Sequence, residues 1–126
     1  MKLSTLLTFN AIVASIFGLT AVLVPGVLYS TYGLKSDAGA QLVAQFFGAA
    51  LLGDVVLSWS LRNIEPGATR QTLTLAFFVQ GAIGLVISLV AQFGAVLNAL
   101  GWLNVALTAI FAVGYGYFRF MGPKTD

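Results

Sequence analysis

Four long apolar runs, separated by short polar interruptions, organise the chain at roughly residues 3–24, 40–61, 71–92 and 97–118. Each is about 20 residues, the length a helix needs to cross a hydrocarbon core ~30 Å thick. None alternates polar and apolar positions with period two, and all are rich in Leu and Ala, so helices rather than barrel strands are predicted. Short connections make sequential helices antiparallel neighbours. The expected fold is therefore an all-α membrane protein, an up-down-up-down four-transmembrane-helix bundle forming one integral membrane domain over residues 1–126.

The interruptions carry the punctuation. Pro25-Gly26 stops the first run. The apolar segment Val27–Leu34 that follows predicts a short helix on the outer surface, with Lys35 and Asp37 on its wet side. A polar turn from Arg62 to Arg70, containing Pro66-Gly67, joins the second and third spans. Gln92–Ala95 joins the third and fourth with almost no polar length. Trp59, Tyr115, Tyr117 and Phe120 are expected in an inner aromatic belt, and Tyr29, Tyr32, Phe93 and Trp102 in an outer one.

Composition fixes the class and charge sets the orientation. Hydrophobic residues make up 59 % of the chain and charged residues 8 %, against about 25 % charged in soluble domains. Lys2, Arg62, Arg70, Arg119 and Lys124 fall on one side of the predicted spans and Lys35 on the other. By the positive-inside rule both termini are expected in the cytoplasm, N-in/C-in. The sequence pI near 9.2 then follows from topology, and the basic residues are too scattered for a nucleic-acid patch. A signal h-region runs about 7–15 apolar residues to a small-x-small site. The first run is longer and places Leu19 where a small residue belongs, so a retained span is expected. The chain has neither cysteine nor histidine, which removes thiol chemistry and the commonest haem and zinc ligands.

Small residues recur at four-residue spacing: Ala14 and Gly18 in the first span, Ala44 and Gly48 with Ala49 and Gly53 in the second, and Ala112 and Gly116 in the fourth. Such stripes let helix backbones approach closely in lipid, where no hydrophobic effect drives association. They fit packing inside the bundle better than a dimer face, because four helices must pack somewhere.

Asp54 is the lone acidic residue within the spans, and an intramembrane carboxylate is a functional-site hypothesis in its own right. At ~1.5 Å per residue, Asp54 lies roughly 12 Å from the inner helix ends, Gln80 roughly 14 Å and Asn10 roughly 9 Å. These three are expected to share one polar layer, with Gln45 and Asn104 forming a second nearer the outer side. Asp54 is open to three readings: a neutralised interhelical bridge, a proton- or cation-coupling group, or a contact to a partner subunit. Arg62 lies two turns away on the same span and is a poor partner for it. Catalysis has little support, since Ser58, Ser60 and Ser88 have no histidine to activate them and one carboxylate makes no di-acid site.

Val24-Pro25 closing the first span, then Tyr32-Gly33, then Gln45-Phe-Phe-Gly48-Ala-Ala-Leu-Leu-Gly53, resembles the DoxX-like proteins and related small bacterial four-span membrane proteins. That resemblance implies a bundle fold and a bacterial inner membrane. An arginine usual before the second-span glycine in that group is replaced here by Gln45 or Phe46. The leading functional expectation is a non-catalytic integral membrane subunit packed against a larger complex, its partners being the lipid bilayer and other membrane subunits or further copies of itself. A bound pigment or lipid is compatible with it, with Asn10, Asp54, Gln80 or Asn104 offering oxygen to a chlorin magnesium. The alternative is a small oligomeric transporter or channel using Asp54. A third class, lipid or sterol handling, would use the Phe46-Phe47 and Phe77-Phe78 faces.

Overall fold

The computed structural model describes residues 1–122, so Pro123 and Lys124 lie outside the described residues. Helix α1 spans Leu3–Leu23, α2 Pro25–Thr31, α3 Ala38–Leu61, α4 Ala68–Phe93 and α5 Gly101–Gly116, continued by a π turn over Tyr117–Met121. Four of these segments are long and apolar enough to cross a membrane, the last counted through Met121. The protein is thus all-helical with four candidate spans.

Local chemistry sets the helix ends. Pro25 disfavours helical geometry at the residue before it, and Val24 accordingly leaves the helix at φ −138°. Pro25 then opens α2 at its first position, where its missing N–H costs nothing. Asp37 caps α3, its carboxylate accepting from the Ala40 amide at 2.8 Å. Pro66-Gly67 immediately precedes α4.

The fourth span begins at Gly101, four residues later than its hydropathy suggests. Asn98 holds this stretch as a loop. Its Nδ2 donates to the Thr31 carbonyl, and its Oδ1 accepts from the Leu100 amide, each at 3.0 Å. Its own backbone N–H donates to the Tyr32 carbonyl at 3.1 Å. The α4–α5 loop is thereby tied to α2. Ala95 in the same loop has φ +57°, a left-handed conformation that side chains with a Cβ rarely adopt.

The helices associate as two pairs, α1 along α3 and α4 along α5, while the backbones of α3 and α4 stand apart. Small residues set both close contacts. A Cβ on Gly48 would lie 2.8 Å from the Gly18 carbonyl oxygen, and one on Gly81 would lie 2.8 Å from the Ala112 nitrogen. Gly18 and Gly48 are consumed between α1 and α3, Ala14 and Ala44 are buried on the same helices, and Ala112 and Gly116 lie between α4 and α5. Ala49 and Gly53 differ. Both are exposed, and a Cβ on Gly53 would meet nothing within 4 Å.

The two pairs are stitched at one end by Leu3, Leu6, Leu7, Leu61, Phe77, Tyr115 and Phe118. That end also carries Lys2, Arg62, Arg70 and Arg119 in sequence. Between this plug and the tie of the α4–α5 loop to α2, a space remains between the pairs.

Candidate functional site

The space between the helix pairs is an elongated cavity of about 620 Å³, within the range of small-molecule sites. Its floor is the aromatic side of the plug, where Phe77 and Tyr115 stack with ring centroids 5.1 Å apart and Phe111 stacks on Tyr115 at 6.1 Å. Helical phase explains its wall. Val43, Phe47, Leu51 and Asp54 recur along one face of α3, and Asn104, Thr108, Phe111 and Tyr115 along one face of α5. The lining residues Val43, Phe47 and Ile87 are also strongly exposed, so the cavity opens sideways between α3 and α4.

Asp54 and Gln80 meet across that opening. Gln80 Nε2 donates to Asp54 Oδ2 at 2.6 Å, bridging two helices whose backbones do not touch closely. Asn10 lines the same end of the cavity and is buried, but it faces Tyr115 rather than Asp54. The expected inner layer is therefore a bonded Asp54–Gln80 pair beside a separate Asn10–Tyr115 pair. Arg62 is turned away, its guanidinium 4.2 Å from the centroid of the Trp59 ring.

The expected outer layer does not form. Gln45 lies nine residues before Asp54, about half a turn out of phase, and faces α1, where its Nε2 donates to the Val22 carbonyl at 3.2 Å. Asn104 does line the cavity, but its Oδ1 accepts from the Tyr32 hydroxyl at 2.6 Å. Burial pushes the Tyr32 phenol above its ordinary pKa of 10.0.

Two tyrosines were missed as site residues. Tyr32 is buried as the partner of Asn104 rather than standing in an outer belt. Tyr115 is only 1 % exposed, and its hydroxyl makes no hydrogen bond of good geometry. The signal for Tyr115 was its spacing of eleven from Asn104 and seven from Thr108, which puts all three on one helical stripe. Trp59, Tyr117, Phe120, Phe93 and Trp102 are exposed, as belt residues are. Ser58 donates to the carbonyl of Asp54 at 2.7 Å, spending its hydroxyl on its own helix.

Chemically, the arrangement is an apolar groove with a hydrogen-bonding group at each end. Among the described residues no cluster of three His, Cys, Asp or Glu side chains is placed to hold a metal. No family model, curated protein or solved structure matches the chain.

Proposed function

We propose that the protein is a non-catalytic integral membrane subunit that docks another membrane helix, from a partner or a second copy, against the outer face of α3. The observation carrying this reading is the contrast among its small-residue stripes. Those of α1 and α5, and Ala44 with Gly48, are filled by intramolecular neighbours, whereas Ala49 and Gly53 lie bare. In lipid, close backbone approach over small residues is a main source of helix association. Around this reading stand a DoxX-like up-down-up-down bundle, a bacterial inner membrane and an N-in/C-in orientation, the last supported by the basic residues gathered near one end.

The test is purification of the tagged protein from its native membrane in gentle detergent, followed by mass spectrometry. A stoichiometric companion or dimer is expected for wild type and for Ile12→Leu, and is lost in Gly53→Leu. A monodisperse monomer for wild type would defeat the reading.

A second reading, a small oligomeric transporter or channel coupled through Asp54, is favoured by the position of that carboxyl on the wall of a laterally open cavity. Asp54→Asn would then abolish ion- or pH-dependent flux in liposomes, and unchanged flux would remove the carboxylate from the mechanism.

A further inference from the structure

The cavity has a polar composition that helix packing does not require. Its plug end holds the Tyr115 hydroxyl, covered and without a well-formed hydrogen bond, and the Asn10 amide facing it; Asp54 stands at the adjoining lateral opening, its Oδ2 accepting from Gln80 and its Oδ1 without a hydrogen bond among the described residues. A buried hydroxyl whose one neighbour is poorly aligned keeps unused hydrogen-bonding capacity, so a molecule supplying an oxygen there gains a bond that the Asn10 contact does not provide. We infer that this groove is a binding site for a neutral, membrane-soluble alcohol, whose oxygen docks among Asn10, Asp54 and Tyr115 and whose apolar body lies along the channel toward Asn104.

The lining and shape of the groove select that chemistry. The hydroxyl of an alcohol can accept from Tyr115 or Asn10 and donate to Asp54 Oδ1, so it matches both donors and acceptor. An anionic head would be desolvated beside Asp54 with no cation among the lining residues. A phospholipid headgroup is also a poor fit, because the plug closes the Tyr115 end toward the helix ends and these polar groups lie roughly 9–14 Å from them. Between Tyr115 and Asn104 the groove runs eleven residues of α5, about 16 Å, and is lined there by apolar side chains such as Phe17, Leu51 and Leu107. Entry is from the bilayer, past Phe47 and Ile87. The inference stands apart from the docking reading, since it uses the cavity side of α3 rather than Ala49 and Gly53.

The test uses the full chain in phospholipid nanodiscs with all-trans-retinol as probe and all-trans-retinoic acid as its anionic counterpart, read by energy transfer from Trp59 and Trp102. Empty nanodiscs supply the partition baseline. Saturable binding of about one retinol per chain is expected. Tyr115→Phe keeps the ring stack but loses the hydroxyl, and should weaken binding about tenfold, the loss of one hydrogen bond. Ile87→Trp fills the lateral opening from an exposed position and should abolish saturable binding while leaving the helical circular dichroism unchanged. Retinoic acid should bind at least tenfold more weakly than retinol. Absence of saturable retinol binding, indifference to both substitutions, or tighter binding of the acid would each overturn the inference.

Discussion

Gly48 and Gly53 lie five residues apart on α3, and substituting each by alanine separates internal packing from open surface. At Gly48 the new methyl would lie 2.8 Å from the Gly18 carbonyl oxygen, 2.8 Å from Val22 Cγ2 and 2.9 Å from Ala21 Cβ. Two of these atoms belong to movable side chains or a short stub, but the carbonyl oxygen belongs to the backbone of α1, so relief requires the helices to separate. Overpacking of this kind costs about 1–3 kcal/mol. At Gly53 the methyl meets nothing within 4 Å. Both substitutions gain the same helix-propensity term, about 1 kcal/mol, which cancels in their difference. Gly48→Ala should therefore be less stable than Gly53→Ala by about 1–3 kcal/mol. Reversible unfolding in mixed micelles, titrated with a denaturing detergent and followed by circular dichroism, measures that difference. Equal midpoints, or a less stable Gly53→Ala, would refute the placement of the α1–α3 contact.

Ala95→Gly should raise stability by about 1 kcal/mol, because it relieves a left-handed backbone at φ +57°; the same unfolding titration reads it. Gln80→Leu removes the bridge from α4 to Asp54 and should cost about 0.6 kcal/mol, reaching ~1.7 at most, since the unfolded chain in a micelle also finds polar partners. Tyr32 supplies a pH prediction. Its phenol is neutral when it donates to Asn104, and burial holds its folded pKa above the unfolded value of 10.0. Its contribution is therefore complete below pH 10 and is lost as pH rises through the folded value. Tyr32→Phe should lower stability by about 1 kcal/mol at neutral pH and flatten the alkaline slope above pH 10. An unchanged slope would exclude Tyr32 as its source.

The spans were legible because length and continuous hydropathy are what a bilayer selects, and α1 to α4 begin and end within three residues of the apolar runs at the ends that proline, glycine and Asp37 mark. The start of α5 was not legible. Val96 and Leu97 are as apolar in a loop as in a helix, and only the tertiary bonds of Asn98 to α2 decide between them. The site was partly legible. Asp54 and Gln80 stand at matching depth on adjacent spans, and depth can be counted from sequence. Depth alone misassigned Gln45, whose angular phase turns it toward α1. Aromatics near span ends usually sit at the interface, whereas the plug of Leu6, Leu7 and Phe77 buries Tyr115. The cavity between the helix pairs depends on where Gly48 and Gly81 bring the backbones together, a tertiary property that stripes of small residues suggest only in kind.

The central claim is that α3 presents a bare face to another membrane helix. A photo-crosslinking amino acid placed at position 53, in the native membrane, tests it most directly, with position 16 on the exposed side of α1 as the comparison. The account predicts a discrete crosslinked band from position 53 and only lipid adducts from position 16. Lipid adducts alone from both positions would contradict it.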